Sequence, residues 1–472
     1  MFSLFKKRTP VQKLYLFNTK TKQKEEFEPI SKAVSIYSCG PTVYHYAHLG
    51  NLRSYVFRDV LKRTLLYSGY KVKDVINITD VGHLVSDADE GEDKVEKAVR
   101  REGKTAQGIT TFYSKEFLND IKALNIDINK TLFPKATDYI AEQIDLLKKM
   151  EEKGLTYKTS DGIYFDTSKF KNYGVLGGID LEGLKEGARV TLNKEKKNPT
   201  DFALWKLSPS GEQRQQEWDS PWGKGFPGWH LECSAMAMKL LGEQIDIHTG
   251  GIDHIPVHHN NEIAQSESVT NKKFSRFWLH NQHLKNVGGD KMAKSKENFL
   301  RLQTVIDKNI NPLSYRYFLL QAHYRSPITF SWEALEASQT ALRRLSEQVQ
   351  NLPKGGSVSE KYKQKFESSV ADDLDTSGAL ALVWMLLKDD SVSDKDKRAT
   401  LVDFDKVLGL DLFNISFETI VEVPEEVHKL AEERELARKS KNWQKADQLR
   451  EEIDKLGFVI KDAESGFKIE KK

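Results

Sequence analysis

Apolar residues alternate with polar ones up to residue 38 and then recur at helical spacing, which predicts a strand followed by a helix. Within 34–38, Val34 and Ile36 fall on one side of an extended chain. Gly40 and Pro41 interrupt this pattern. Helical intervals then separate Leu52, Tyr55, Val56 and Val60. After Gly69, at the expected helix C-terminus, a second strand is predicted by Val72, Val75, Ile76 and Ile78.

The succession of strand, helix and strand is a βαβ unit, and therefore predicts an α/β fold with a parallel sheet. Ligands of such sheets bind beyond the carboxyl ends of the strands. Cys39, His48 and the run 77–80 (Asn-Ile-Thr-Asp) are thus expected around one crevice. On the predicted helix, Asp59 and Arg63 lie one turn apart and are expected to pair on its outer face.

Changes in the pattern further along the chain predict several domains, as the length of 472 residues also does. A mixed segment with a polar loop at 194–199 follows the βαβ unit, and apolar positions ending in the glycines at 250–251 then suggest that the sheet resumes. Beyond residue 326 the apolar positions have helical spacing, with leucines at 335, 342 and 345. The predicted divisions are 1–127 and 227–325 for the two halves of the α/β domain, 128–226 for an insertion, 326–423 for a helical bundle and 424–472 for a small C-terminal domain.

Composition and charge describe a globular chain without excluding many partners. Hydrophobic residues make up 39% and charged residues 30%, and 72 basic against 69 acidic residues leave a net charge of +3. This balance neither requires nor excludes nucleic acid. We expect no signal peptide and no membrane span, and hence a cytoplasmic protein without a membrane partner. The two cysteines, Cys39 and Cys233, are too few for a disulfide framework.

Two distant segments carry the residue types that phosphate chemistry requires. His48, Gly50 and Asn51 stand at the start of the predicted helix, where backbone N–H groups and the helix dipole favour anions. Lys291 and Lys294 lie in a glycine-flanked segment that can close over a polyphosphate. Taken alone, such a histidine is more commonly a helix cap or a solvated residue, and such lysines are more commonly an exposed basic turn.

A metal site is one of two explanations for a scattered set of ligand-type residues. His258 and Glu262 are four residues apart and would share a helix face. Together with Cys39 and Cys233 they would make a zinc set of two sulfurs, a nitrogen and an oxygen. From spacing alone, buried inert cysteines and a salt bridge on one helix explain the same residues.

The order of these segments resembles the class I aminoacyl-tRNA synthetases, and within them the cysteinyl-tRNA synthetases. The segments that carry the resemblance are CGPTVY with HLGN at 39–51, GWHLECSAM at 228–236, DIHTGGIDH with HHNNE at 246–262, and KMAKS at 291–295. The first and last correspond to the HIGH and KMSKS signatures of class I. Asn51 replaces the second histidine of HIGH, and Ala293 replaces the first serine of KMSKS. Lys296 and Glu297 also depart from the family pattern, which bears on the dynamics of that loop.

The resemblance implies a Rossmann-type nucleotide-binding domain with an inserted subdomain, a helical bundle and an anticodon-binding domain. It implies ATP with Mg²⁺, cysteine and tRNA(Cys) as substrates, with His48, Asn51, Lys291 and Lys294 as catalytic residues and His48, Gly50, Asn51 and Lys294 around ATP. The implied ligands of one zinc ion are Cys39, Cys233, His258 and Glu262.

Zinc would separate cysteine from serine, which has nearly the same shape, because a metal of this softness prefers sulfur and deprotonates a thiol. The insertion looks too short for an editing domain, so we expect selection in a single step. By resemblance, Trp229 closes the amino-acid pocket, and Thr79 and Asp253 are candidates for holding the α-amino group.

The last segment is expected to contact RNA. Arg434, Arg438, Lys441 and Lys445 would form a basic stripe on one helix, although Asn442 has the character of an N-cap that divides it. Trp443 could stack on a base, but packing in a core is the commoner explanation of a lone tryptophan.

Two alternatives remain at this point. A mycothiol-type ligase would transfer cysteine to an amino sugar but lacks the C-terminal part. A non-catalytic RNA-binding paralogue would not need the residues of the ATP and zinc sites.

Overall fold

Two compact units make up the computed structural model, Met1–Ile415 and Ser416–Lys472. The structure describes residues 12–82, 93–177, 194–208, 214–286, 299–417, 424–463 and 466–471.

A five-stranded parallel sheet organises the first unit. Its strands are β3 (Ala33–Ser38), β4 (Lys71–Ile76), β5 (Thr131–Leu132), β10 (Ile245–Gly251) and β11 (Ser275–Asn281), in the order β11-β10-β3-β4-β5. The chain runs outward from β3 in both directions, so a topological switch point lies between β3 and β10. Parallel α/β sheets bind ligands at such a point, beyond the carboxyl ends of the strands.

Helix α1 (Leu49–Tyr67) connects β3 to β4, as the periodicity predicts, although it begins before the first apolar position at Leu52. The helix ends at Ser68, and Gly69 follows with a left-handed φ of 85°. Helix α1 packs against other elements on more than one side, and some of its charged side chains are therefore buried as well. Buried charges require partners, and Arg53 accordingly donates to the backbone carbonyls of Tyr324 and Ser326.

The predicted ion pair of Asp59 with Arg63 forms at 2.8 Å, but its expected position on the outer face is wrong. The Asp59 side chain is fully buried, because Arg316 reaches it at 2.5 Å from another helix. That helix is α8 (Pro312–Leu320), which follows α7 (Leu302–Asp307). Arg316 also donates to the carbonyl oxygens of Leu408 at 2.7 Å and Leu124 at 3.1 Å. One guanidinium thus ties α1 to two other parts of the unit.

A second, antiparallel sheet lies within the segment predicted as an insertion. It contains β6 (Thr156–Thr159), β7 (Gly162–Phe165), β8 (Phe202–Leu207) and β9 (Gly225–Pro227) in that order. The same segment also contributes β5 to the parallel sheet. A continuous apolar core joins the two sheets through α5 (Trp229–Leu241), with Tyr37, Leu231 and Trp205 all buried in it.

Further α-helices among the described residues of this unit are α2 (Lys94–Glu102), α3 (Ala106–Ala123) and α4 (Ile140–Glu152), and α6 (Asn260–Thr270) follows β10. Two short pairs of strands complete the sheets, β1 (Tyr15–Asn18) with β2 (Gln23–Glu26) and β12 (Leu284–Lys285) with β13 (Ile328–Thr329).

The predicted helical region follows β13. It contains α9 (Trp332–Gln350), α10 (Glu360–Ala371), α11 (Thr376–Leu387) and α12 (Asp394–Leu408). The leucines at 335, 342 and 345 are fully buried, as expected for the core of a bundle. Among the described residues, no helix combines the length and apolar character needed to cross a membrane.

The second unit consists of a helical pair and a hairpin. Its elements are α13 (Glu425–Lys439), α14 (Trp443–Lys455) and the antiparallel strands β14 (Phe458–Ala463) and β15 (Gly466–Lys471). The side chain of Asn442 accepts a hydrogen bond from the backbone N–H of Lys445, so Asn442 is the N-cap of α14. The small core contains Val427, Ala431 and Ile453.

Candidate active site and metal centre

Four possible metal ligands meet beyond the carboxyl ends of the parallel strands. Cys39 directly follows β3, Cys233 lies in α5, His258 lies in a π-helical turn at Ile255–His259, and Glu262 lies in the first turn of α6. Their ligand atoms all lie within 4.8 Å of one another. His258 Nε2 is 2.7 Å from Glu262 Oε1, and Cys39 Sγ is 3.8 Å from the same oxygen. Two sulfurs, an imidazole nitrogen and a carboxylate oxygen are donor types that zinc prefers, so these residues fit the ion.

A second set of four shares two of these residues. Cys39, His248, His259 and Glu262 also have ligand atoms within 4.8 Å of one another. His259 Nε2 lies 3.2 Å from Cys39 Sγ, and His248 Nε2 lies 2.5 Å from Glu262 Oε2. The sets therefore differ in two ligands. We favour the set with Cys233, because it has two sulfur donors and leaves His248 to orient the carboxylate of Glu262, as outer residues commonly do at metal sites.

The protein groups alone shift the pKa values in this cluster strongly. Burial raises the pKa of the Cys39 thiol to about 11, and burial also raises that of Cys233 well above its ordinary value. Burial opposes charge on His258, but Glu262 and Cys233 outweigh it and raise the His258 pKa to about 10. Burial likewise opposes charge on Glu262, and His248 and His258 nevertheless lower its pKa. The thiols thus need a strong positive charge to ionise, which a bound cation would supply.

Further histidines surround the four ligands, and the sequence analysis assigned them no role. His230 Nδ1 is 2.8 Å from His258 Nδ1, which leaves the Nε2 atom of His258 for Glu262 or a metal. His259 Nδ1 is 2.7 Å from His280 Nε2. Burial lowers the pKa values of His259 and His280 well below the ordinary value. These rings are therefore neutral near pH 7. In the sequence, the close spacing of four histidines between 248 and 259 was the signal that could have indicated such a cluster.

Of the three residues predicted for the amino-acid pocket, Trp229 lies against the possible metal ligands and Thr79 contacts α5. The Trp229 ring opens α5 and lies 4.5 Å from the His258 ring between centroids. Thr79 is buried and donates its hydroxyl hydrogen to Glu232, one turn along α5 from Trp229. Asp253 precedes the cluster in a short turn. Its side chain is about half exposed, and the carboxylate lies 3.5 Å from His283 Nδ1.

The residues predicted to bind ATP stand at the start of α1. His48 is its N-cap and forms a capping box with Asn51. Nδ1 of His48 accepts from the Asn51 N–H at 3.0 Å, and Oδ1 of Asn51 accepts from the His48 N–H at 3.2 Å. A neutral His48 ring consequently has its proton on Nε2, the form that can donate to a phosphate oxygen. Gly50 follows in the first turn of the helix.

The predicted phosphate-binding lysines, Lys291 and Lys294, lie outside the described residues. The segment that follows them is attached to the start of α1. The Leu49 N–H donates to the carbonyl oxygen of Leu300 at 2.8 Å, and the Phe299 ring lies 5.9 Å from the His48 ring. Phe299 and Leu300, which follow the predicted lysine segment in the chain, therefore contact the start of α1.

In the second unit, the predicted basic stripe is divided and partly buried. Arg434 and Arg438 belong to α13, Lys445 belongs to α14, and Lys441 lies between them with a left-handed φ of 59°. Arg434 is buried, so it does not belong to an exposed stripe. Trp443 was expected to pack in a core, but it is 59% exposed.

Two protein families match most of the chain between them, one in each of two separate ranges. Residues 26–340 match the family described as tRNA synthetases class I (C) catalytic domain. Residues 421–467 match the family described as cysteinyl-tRNA ligase anticodon binding domain.

Individual relatives match over nearly the full length of the chain. Cysteine–tRNA ligase 1 of Burkholderia lata is 47% identical over 454 residues, covering 96% of this chain and 96% of the relative. Cysteine–tRNA ligase of Treponema denticola is 45% identical, covering 95% and 98% respectively.

Solved structures of other synthetases share the fold at low identity. A LeuRS of Agrobacterium radiobacter K84, in a ternary complex with tRNA and LeuAMS, has a TM-score of 0.58 at 12% identity and covers 81% of this chain and 84% of its own. Methionyl-tRNA synthetase of Mycobacterium tuberculosis, bound to methionyl-adenylate, has a TM-score of 0.52 at 15% identity, with 80% and 90% covered. The parallel sheet and the helical region after it are thus features of the class I synthetase fold.

Proposed function

The chain belongs to the cysteine–tRNA ligase family of class I tRNA synthetases, and from this premise we propose that it charges tRNA(Cys) with cysteine. The cysteine carboxylate would attack the α-phosphorus of ATP and displace pyrophosphate, and cysteinyl-adenylate would then transfer its cysteinyl group to tRNA and release AMP. The observation that carries the proposal is the four-ligand cluster of Cys39, Cys233, His258 and Glu262, which lies at the switch point of the parallel sheet.

The start of α1 is the proposed site for the ATP phosphates, with Mg²⁺ accompanying the nucleotide. Activation gathers negative charge on phosphate oxygens, so it requires positioned donors and cations. The N-terminus of a 19-residue helix supplies a positive dipole end. The capping box holds the His48 ring and Asn51 in fixed orientations at that end. We assign His48, Gly50 and Asn51 to ATP binding, and Lys291 and Lys294 to the charge that develops on pyrophosphate.

Cys39, Cys233, His258 and Glu262 are the residues we propose to hold one zinc ion. Zinc bound there would offer a position to the sulfur of the substrate and favour a thiolate over a hydroxyl. His230 would hold the His258 ring, and His248 would hold the second oxygen of Glu262. These contacts would fix the ligands before the substrate arrives.

For the remaining groups of cysteine we propose Thr79, Trp229 and Asp253. The Trp229 ring, which lies beside the His258 ring at an interplanar angle of 39°, would cover the side chain of the substrate next to the metal. Thr79 and Asp253 would receive the α-ammonium group, since both offer oxygen acceptors. Serine would make the same contacts through its amino group, so selection against serine would depend on the metal.

RNA recognition is proposed for the second unit, and the predicted divisions at 127, 226, 325 and 423 remain our proposal for the domains. Trp443 is exposed and would stack on a base, and Arg438 and Lys445 would contact phosphates. Arg438 already pairs with Glu435 at 3.2 Å, so a phosphate would share its guanidinium with that carboxylate. Because charged tRNA is consumed in protein synthesis, we also propose a cytoplasmic location.

Pyrophosphate exchange with purified protein tests the proposal. We expect cysteine to support ATP–pyrophosphate exchange and serine at the same concentration to support almost none. Comparable exchange with both amino acids would remove the thiol-selecting role. Transfer is tested separately by aminoacylation of tRNA, with a chain lacking residues 424–472 as the comparison. The truncated chain should retain exchange and lose most charging. Equal charging by both chains would contradict RNA recognition by the second unit. Exchange without charging of tRNA by either chain would instead favour transfer to an amino sugar.

A further inference from the structure

Three hydrogen bonds connect the residue after one proposed zinc ligand to the residue before another. The Gly40 N–H donates to Oδ1 of Asn77 at 2.7 Å. Nδ2 of Asn77 donates to Oγ1 of Thr79 at 3.0 Å. Oγ1 of Thr79 donates to Oε1 of Glu232 at 2.5 Å. Asn77, Thr79 and Glu232 are each at most 2% exposed. We call this series the Gly40–Glu232 relay.

Each bond of the relay has only one possible direction. A backbone N–H can only donate, so the oxygen of the Asn77 amide must face Gly40 and its NH₂ group must face Thr79. A carboxylate can only accept, so the single hydroxyl proton of Thr79 is directed to Glu232. The Thr79 oxygen then has one acceptor position left, and no proton with which to meet a substrate.

The backbone holds the relay in register. A Cβ atom at residue 40 would lie 1.4 Å from the carbonyl oxygen of Asn77, so only glycine permits this approach. Thr79 is also fixed by its backbone, because its N–H donates to the Pro41 carbonyl and its own carbonyl accepts from the Val43 N–H, each at 3.1 Å. The Thr79 hydroxyl therefore has a fixed position as well as a fixed polarity.

We propose that Glu232 is a positioning residue for the α-ammonium group of the substrate and acts through Thr79. By taking the Thr79 proton, Glu232 leaves an oxygen that accepts from an ammonium group and does not compete with it as a donor. This inference rests on the proposed function and deepens it. It requires that the site discriminate between thiols with and without an amino group.

The test is the binding of three thiols to the full-length, zinc-loaded protein without ATP, measured by calorimetry. Cysteine has all three groups, cysteamine lacks the carboxylate, and 3-mercaptopropionate lacks the amine. In Glu232→Gln, the new NH₂ group can donate to Thr79 and turn its proton toward the substrate. The substitution would remove the hydrogen bond between Thr79 and the charged ammonium group. We therefore expect cysteine and cysteamine to bind about tenfold more weakly or worse. Binding of 3-mercaptopropionate should change less than about twofold, because it has no ammonium group to meet Thr79.

Four further variants separate positioning from a general structural role. Glu243→Gln, at an exposed glutamate paired with Lys272, is the matched control and should bind all three thiols as the parent does. Thr79→Val should reproduce the amine-specific loss, and Thr79→Ser should restore most of the affinity. Adding Glu232→Gln to Thr79→Val should produce no further loss, since Glu232 acts through the hydroxyl.

Two results would overturn the proposal. One is an equal loss for all three thiols, or a loss of zinc, in Glu232→Gln. The other is an additive loss in the double variant. If Glu232→Gln does not fold, the comparison of Thr79→Val with Thr79→Ser still decides whether the amine depends on this hydroxyl. Failure of the proposed function has a different signature, in which the parent protein shows no preference for cysteine over serine.

Discussion

Two neighbouring histidines offer a direct test of which residues bind the metal. His258 and His259 are adjacent and both buried, but they belong to different sets of possible ligands. Replacing His258 by asparagine removes one ligand of the set that contains Cys233. The same change at His259 removes one ligand of the set that contains His248. Each substitution alters one buried ring, so each variant is the matched control of the other.

The expected size of the effect follows from the geometry. His258 Nε2 lies 2.7 Å from Glu262 Oε1, so its loss removes a nitrogen donor and a neighbour of the carboxylate ligand together. Loss of an outer residue at a metal site already costs 10–100-fold in affinity, so we expect His258→Asn to weaken zinc binding by about 10²-fold or more. His259→Asn removes only an outer ring and should cost about tenfold.

Zinc content and affinity are the decisive measurements. Elemental analysis after gel filtration should find about one zinc per chain in the parent and in His259→Asn. His258→Asn and Cys233→Ser should retain little zinc, and both should lose cysteine affinity by more than ATP affinity. Retention of zinc in His258→Asn, with its loss in His259→Asn, would reverse our assignment and select the set with His248. Retention in both would refute a metal site at this cluster.

Three other substitutions test the remaining parts of the chain. Lys294→Ala should slow adenylate formation by about 10²-fold in single-turnover assays, because the charge on pyrophosphate develops in the transition state. Cysteine binding should change less. An unchanged rate would make Lys294 a surface charge only. Trp443→Ala should weaken tRNA binding about tenfold in filter assays by removing a stacking surface, whereas Leu436→Ala, at an equally exposed apolar position of the same unit, should not. Arg316→Met should destabilise the first unit by about 3 kcal/mol, because it breaks a buried ion pair. Burial opposes the charge on Asp59, but Arg316 and Arg63 lower its pKa, so this stabilisation is present above the unfolded pKa and is lost as the pH falls. The deficit in denaturation measurements should therefore narrow below about pH 4; a deficit independent of pH would contradict the role of Asp59.

Local sequence patterns predicted the elements that form within one stretch of chain. The alternation at 34–38 and the helical spacing from Leu52 were enough for β3, α1 and β4, because those periods reflect burial of one face against a sheet. The same logic failed for Asp59 and Arg63. A helix pattern shows which residues share a face, but it does not show that Arg316 arrives on that face from another helix.

Long-range geometry also explains what was missed in the candidate site. The spacing of His258 and Glu262 could indicate a shared face, but the contacts of His230 and His280 depend on how separate strands and helices meet. The hairpin of β14 and β15 was not predicted, because its strands are stabilised by pairing with each other, which no helical spacing in the last segment indicates. The division of the basic stripe was predictable, because the N-cap character of Asn442 is a local signal and the structure confirms it.

Recognition of the two ends of cysteine should be separable, although the relay joins them in the structure. Serine has the same amino and carboxylate groups as cysteine, so contacts to these groups stabilise both amino acids equally and cannot distinguish them. The sulfur alone differs, and it would meet the metal ligands. We therefore expect Glu232→Gln to weaken the binding of cysteine and of serine by the same factor. The ratio of the two affinities, measured by competition calorimetry with serine at high concentration, should not change. His258→Asn should instead lower the ratio itself, because it removes the preference for sulfur. A changed ratio in Glu232→Gln would mean that the relay also affects Cys39 and Cys233, the proposed zinc ligands, and the amine and the thiol would then be recognised by one coupled unit.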